Sequence, residues 1–327
     1  MIWSTEKANN WYKNKGWIVG FNFLPSSAVN STEMWQAESF DLPEMEKELA
    51  LAAETGYNSC RVFLQYIVWK NEGEKFLKNF DHFLNATHKN NISVLPILFD
   101  DCAFSGREPY LGRQDEPRPG IHNSGWTSSP GFTAMDDPGS EEDLKAYVHA
   151  IVSRYKDDER ILAWDLYNEP CNTKRDGKSL PLLRNVFKWA RECNPSQPLT
   201  SGVWIWNEFD LTCIELSDII SFHDYDVVEK SKEHIAFLKK NNRPMLCTEW
   251  LHRPKGSTVE SHMPLFKAEK IGIYNWGLVN GRTQTHLNWD ASKNQGNTTQ
   301  PWQHDIFTED FKPYSEKEVE FIKQITR

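Results

Sequence analysis

Cysteine is scarce in this sequence, at six in 327 residues. No two of Cys60, Cys102, Cys171, Cys193, Cys213 and Cys247 stand at the close spacing of a zinc site. Three of them fall in or beside β-rich runs, so buried thiols are expected rather than covalent staples. A chain of this length removes enough surface from water to build a core without metals or disulfides. Long hydrophobic runs are also missing: the longest, such as 92–99, is far short of the ~20 residues of a membrane span. Positive charge is not concentrated either. Lys and Arg number 37 against 46 Asp and Glu, for a net charge of −9, and the basic residues are scattered. That leaves no footprint for a polyphosphate, so neither nucleic acid nor membrane is expected as a partner. The opening residues lack the charged, apolar and small-residue succession of a secretory leader. The expected location is the cytoplasm, or the periplasm or exterior if a leader has been removed. No Gly/Ser/Pro-rich linker and no fixed-period repeat divides the chain, so residues 1–327 read as one domain.

Aromatic residues are plentiful, with 14 Trp against 6 Met. Trp3, Trp11 and Trp17 are assigned to packing at the bottom or in the core. Trp35, Trp69, Trp126 and Trp289 fall in loops or just beyond strand ends, where stacking on a ligand and pinning of a loop are both open. The main pattern is an alternation of short β-rich runs with segments of helical periodicity, which builds a parallel sheet. The strands expected are 17–23, 58–64, 92–99, 161–167, 198–203, 218–223, 244–249 and 272–278. The helices expected between and after them are 43–55, 74–89, 141–155, 180–192, 208–216, 230–240, 259–270 and 315–326. Leu42-Pro43 before acidic residues suits a helix start, and Gly56 suits its left-handed end. Eight such pairs predict an α/β fold, a single (β/α)8 TIM barrel. The rival, an open doubly wound sheet, would want a Gly-rich phosphate turn after the first strand, and none is present.

The two long connections follow strands three and eight. One runs from Asp100 to about Ser140 with Arg107, Arg113, His122 and Trp126, and the other from Val279 to about Tyr314 with His286, Trp289, Trp302 and His304. Both leave the C-terminal ends of strands, where barrel active sites are built, and are expected to wall a pocket.

Strand four ends in Tyr167-Asn168-Glu169-Pro170 and strand seven in Cys247-Thr248-Glu249-Trp250. In a closed barrel these strands face each other across the mouth. Glu169 and Glu249 alone could be helix-start acids favoured by the helix dipole. Facing each other, they divide the labour of glycosidic cleavage, one protonating the leaving oxygen and one attacking the sugar or activating water.

These residues resemble those of the large clan of retaining (β/α)8 glycoside hydrolases that includes family 5, over nearly the whole chain. The resemblance implies Glu169 as acid/base and Glu249 as nucleophile, with a β-linked carbohydrate as substrate. It further implies that Arg61 keeps the nucleophile ionised, that Asn168 contacts the sugar 2-hydroxyl and that His223 and Tyr225 line the site. Tyr225 would be bonded to the nucleophile, and Trp276 would be the platform beneath the reacting sugar. One position departs from the pattern: family 5 members usually carry histidine at the end of strand three, where this chain has Phe99-Asp100-Asp101-Cys102. Asp100 or Asp101 is taken there as a candidate for binding sugar hydroxyls.

Ten histidines offer neither His-Glu-x-x-His nor a close pair, and no Gly-x-Ser-x-Gly elbow occurs. No metal, cofactor or serine nucleophile is expected. Cys247, two residues before Glu249, is read as barrel packing. The function expected is a retaining β-glycosidase with exo action on short β-linked oligosaccharides or glycosides, its nucleophile held ionised by Arg61 and Tyr225. The alternatives are an endo-β-glucanase or mannanase, a transglycosylase, and a non-catalytic carbohydrate-binding barrel.

Overall fold

The computed structural model describes residues 1–294 and 300–327. Its strands are β1 Val19–Phe23, β2 Ser59–Phe63, β3 Ser93–Asp100, β4 Trp164–Asn168, β5 Leu199–Thr200, β6 Ile220–His223, β7 Met245–Trp250 and β8 Gly272–Trp276. They form one 8-stranded sheet in the order β5-β4-β3-β2-β1-β8-β7-β6, with parallel pairing throughout. A parallel bridge between Val203 and Phe222 joins the two ends, so the sheet closes into the (β/α)8 barrel. The fifth strand is shorter than its β-rich run because only Leu199 and Thr200 pair with β4, and Val203 then turns to β6.

Both faces of such a sheet are covered, which is why its strands are buried along nearly their whole length rather than alternating. The covering helices are close to those expected: α3 Leu42–Thr55, α5 Glu74–Lys89, α7 Glu141–Tyr155, α8 Leu180–Glu192, α9 Glu208–Leu216, α10 Val228–Leu238, α11 Val259–Ala268 and α12 Glu316–Thr326. Asp41 caps α3 by accepting from Glu44 N–H, and Gly56 ends it at φ 105°. A Cβ on Gly56 would lie 2.2 Å from Thr326 Oγ1, so the position needs glycine for its backbone and for the approach of α12. Among the described residues four short α-helices complete the set: α1 Thr5–Lys13, α2 Ser31–Trp35, α4 Tyr66–Glu72 and α6 Phe132–Asp136.

The barrel bottom is plugged by the N-terminal segment. Trp3 and Ala8 join Ile18, Leu95, Ala163, Ile219, Leu246 and Tyr274 in one apolar cluster, with Trp11 packed against it. Trp35 is fully buried and donates from Nε1 to the Phe63 carbonyl, and Trp69 packs on Tyr66 and Tyr147. Those two tryptophans pin elements to the barrel and do not serve as stacking surfaces.

The loops after β3 and β8 are tied to each other. Asn123 N–H donates to Thr283 O at 2.8 Å, Gln284 Nε2 to Arg118 O at 2.9 Å and Asn294 Nδ2 to Gly120 O at 3.1 Å. Together they form a wall on one side of the barrel mouth.

Candidate active site

Glu169 is the first residue after β4 and adopts a left-handed backbone at φ 41°, a strained conformation of the kind that persists at working sites. Its Oε1 lies 2.7 Å from His223 Nδ1. Its Oε2 accepts from Asn172 Nδ2 at 2.5 Å and from Cys102 Sγ at 3.2 Å. Glu249 sits within β7. The register shift between β6 and β7 at Phe222/His223 sets it directly opposite His223. Its Oε1 accepts from Arg61 Nη1 at 2.9 Å and its Oε2 from the Tyr225 hydroxyl at 2.8 Å. His223 Nδ1 is also 3.4 Å from Glu249 Oε2, so one imidazole nitrogen stands between the two carboxylates. Ligand-type atoms of Glu169, His223 and Glu249 lie within 4.8 Å of one another.

Beneath this pair Arg61, fully buried, donates to Glu249, Asp165, Asn22 and Asn168. The guanidinium offers five donors in a rigid fork, which suits one cation holding several oxygens in place. Asn168 accepts from Arg61 and donates to Asp100 Oδ1 at 2.8 Å.

Burial dominates the electrostatics. It raises the carboxyl pKa of Glu169, against the Cys102 and Asn172 hydrogen bonds and the Arg61 charge. It also raises that of Glu249, where His223, Arg61 and Tyr225 oppose the rise and the Glu169 charge adds to it. Arg61 and Tyr225 both favour the ionised form of Glu249, as expected of them, and desolvation exceeds their pull on its pKa. Burial pushes the His223 imidazole down to about 4, so it is neutral at pH 7 and carries a single N–H. Facing two carboxylates, that proton sits on Nδ1, which leaves Nε2 buried without a partner.

These groups line a cavity of about 530 Å³ at the barrel mouth. Glu169, Glu249, Asn168, His223, Tyr225 and Trp276 all reach it, as does Trp126, which packs on Trp276 and Phe63. Gly277 follows Trp276 at φ 73°, and a Cβ there would lie 2.0 Å from Asp305 Oδ1, so only glycine lets the chain turn beneath the indole. From the long loops His122, Trp289 and His304 enter the wall. Other cavity residues carried no signal in the sequence: Phe104, Asn123, Asn172, Trp204, Trp206 and Lys255.

Several sequence assignments are corrected. Asp100 and Asp101 do not line the cavity. Asp100 accepts from Asn168, from Trp126 Nε1 and from Cys102 N–H, while Asp101 accepts from the Tyr167 hydroxyl and Cys171 N–H. Both are buried supports, because a carboxylate at the end of an inner strand finds protein donors before solvent or sugar. The residue just after β3 that does enter the cavity is Cys102. Arg107 and Arg113 are exposed beside Asp115 and Glu116, and His286 packs on Trp302. None of the three is part of the cavity wall.

A second group of possible metal ligands, Asp224, Asp226 and His234, lies at the cavity's edge, where Asp226 lines it. There Asp224 already accepts from His234 Nδ1 and Asp226 N–H, each at 3.1 Å.

A family model described as Cellulase (glycosyl hydrolase family 5) matches residues 19–295. The chain belongs to this family. Its closed parallel barrel is that of the wider clan of (β/α)8 glycoside hydrolases. Among curated proteins, this family 5 chain is 26% identical over 216 residues to "Mannan endo-1,4-beta-mannosidase 8" of Oryza sativa subsp. japonica, covering 59% of this chain and 54% of the rice protein. It is 25% identical over 137 residues to "Mannan endo-1,4-beta-mannosidase F" of Aspergillus clavatus, covering 40% of this chain and 28% of that protein. The matched region is thus about half or less of each relative's length. In fold the family 5 barrel is similar to an exo-beta-1,4-mannosidase from Opitutaceae bacterium strain TAV5, with a TM-score of 0.66 at 16% identity over 95% of this chain and 59% of that one. It is also similar to the family 5 mannosidase from Rhizomucor miehei, with a TM-score of 0.61 at 13% identity over 95% and 92% of the two chains.

Proposed function

We propose that this family 5 enzyme is a retaining exo-glycosidase that removes a terminal β-linked hexose, mannose in the first instance, from short oligosaccharides or glycosides. The observation that carries the reading is the carboxylate pair, whose oxygens come within 4.8 Å with one His223 nitrogen between them. Inverting enzymes hold their carboxyl groups about 6.5–9.5 Å apart to admit a water, whereas retaining ones stand at about 5–5.5 Å. Glu249, aimed by Arg61 and Tyr225, attacks the anomeric carbon, and Glu169 gives its proton to the departing oxygen. Glu169, now a carboxylate, takes a proton from water as that water displaces Glu249, and the sugar leaves with its β configuration. The flat face of Trp276 supports the ring during both steps.

Exo action is supported by the wall that the β3 and β8 loops build together, in which His122 packs on His304 and Trp289. Mannose is supported by the names of the relatives, which include both endo- and exo-acting enzymes. Aryl β-mannoside and β-glucoside are the first substrates to test, followed by a time course on mannohexaose and on soluble mannan. Single sugars released early with little loss of viscosity agree with the proposal. Mixed oligosaccharides and a rapid fall in viscosity would replace it with the endo reading.

A further inference from the structure

Asn123 stands in the β3 loop, on the cavity wall beside His122. It is 2% exposed, yet its Oδ1 has no hydrogen-bond partner, and its Nδ2 finds none among the described residues. Folded proteins pair nearly all buried polar atoms, because an unpaired one costs the full desolvation of the group. The backbone adds to the cost, since Asn123 is left-handed at φ 49°. It is held there by its own N–H on Thr283 O and by Trp126 N–H on its carbonyl, at 2.8 and 3.2 Å. The tie between the two long loops therefore fixes where this amide points.

His122 completes the arrangement. Its Nδ1 lies 2.8 Å from Leu287 O, and a carbonyl can only accept, so Nδ1 carries the proton. Burial keeps the ring neutral, with the imidazole pushed down to about 4. Nε2 is left as an acceptor with no partner among the described residues. Side by side, the two residues offer the cavity an amide N–H₂ donor and an imidazole acceptor, while Asn123 Oδ1 is itself enclosed. A hydroxyl both donates and accepts, and matches that set.

We propose that Asn123, with His122 beside it, is a specificity residue that reads a free hydroxyl of the terminal sugar at the walled end of the cavity. The inference rests on the carbohydrate reading of the cavity given above. It explains a strained, unpaired asparagine as a binding group held ready, and it gives exo action a chemical basis: a hydroxyl that bears a further sugar has no proton to donate.

Asn123→Gly removes the amide and suits the left-handed backbone, so it separates recognition from folding. Titration calorimetry with D-mannose, D-glucose and the 3-, 4- and 6-deoxy mannoses, alongside the Tm, provides the test. The expected result is about tenfold weaker binding of mannose or glucose by the variant. One deoxy sugar should bind wild type and variant alike, and the Tm should be equal or higher. Unchanged affinity, an equal loss across every deoxy sugar, a lowered Tm with the loss, or no binding of either hexose to the wild type would overturn the proposal. Binding needs no turnover, so a failure of hydrolysis on the aryl glycosides would refute the proposed function separately.

Discussion

Cys102 Sγ lies 3.2 Å from Glu169 Oε2. The thiol lies two residues beyond the end of β3, in the Phe99-Asp100-Asp101-Cys102 stretch where the family resemblance leads one to expect histidine. It gives Glu169 a weak, neutral donor in place of a titratable ring. Burial holds this thiol well above its ordinary pKa, with the charges of Asp100, Glu169 and Glu249 adding to the effect. It stays an S–H group and acts through Glu169.

A donor to a carboxylate favours its charged form, so losing the donor raises the pKa of the acid. Cys102→Ala is expected to move the alkaline limb of the kcat/KM profile upward, because Glu169 then keeps its proton to higher pH. Cys102→Ser, which retains a donor, should leave the limb near its wild-type position. Identical limbs in all three proteins would show that the contact does not influence the acid.

The complete profile should be a bell displaced upward from the ordinary glutamate range of about 4. Activity rises as Glu249 deprotonates and falls as Glu169 deprotonates, and burial raises both carboxyl groups. An optimum between mildly acidic and neutral pH, unaffected by EDTA, is the expected outcome. A maximum near pH 4 would contradict the dominance of burial.

Glu169→Ala should slow alkyl glycosides and oligosaccharides by about 10²- to 10⁴-fold, the usual worth of general acid catalysis. Dinitrophenyl glycosides, whose leaving group departs without a proton, should lose far less in the first chemical step. Equal losses for both substrate types, measured as kcat/KM, would remove the acid role from Glu169.

Arg61→Ala should destabilise the fold as well as abolish activity. Removing the cation strands Asp165 and Glu249 in the barrel interior, and breaking a buried pair in this way costs about 3–5 kcal/mol. Urea denaturation of the variant measures it. A loss below about 1 kcal/mol would mean that water reaches the site and substitutes for the guanidinium.

The barrel was legible because its strands are buried on both faces and therefore read as apolar runs, each ending in polar residues at the same end. Glu169 and Glu249 were legible as strand-end carboxylates and Arg61, His223, Tyr225 and Trp276 through the family resemblance, and the structure brings all six together at the barrel mouth. Helices α1, α2, α4 and α6 were missed: three are only five to seven residues long, and Thr5–Lys13 is mostly polar. Asp100 and Asp101 were misread because sequence gives no sign that Trp126 and Tyr167 would satisfy them. Asn123, Trp204 and Trp206 lie on loops whose course is set by contacts between distant segments, such as Asn123 with Thr283, and no local pattern encodes those.

The roles of the two glutamates meet in a single experiment, with a 2-deoxy-2-fluoro β-glycosyl fluoride of mannose or glucose as the probe. Fluorine at C2 slows both steps by destabilising the oxocarbenium-like transition states, while the good leaving group lets the first step proceed, so the covalent intermediate accumulates. Peptide mapping of the inactivated enzyme should place one sugar on Glu249, and slow release of that label should restore activity. Time-dependent inactivation with the label on any other residue, or turnover with no covalent sugar at all, would contradict Glu249 as the nucleophile of a retaining enzyme.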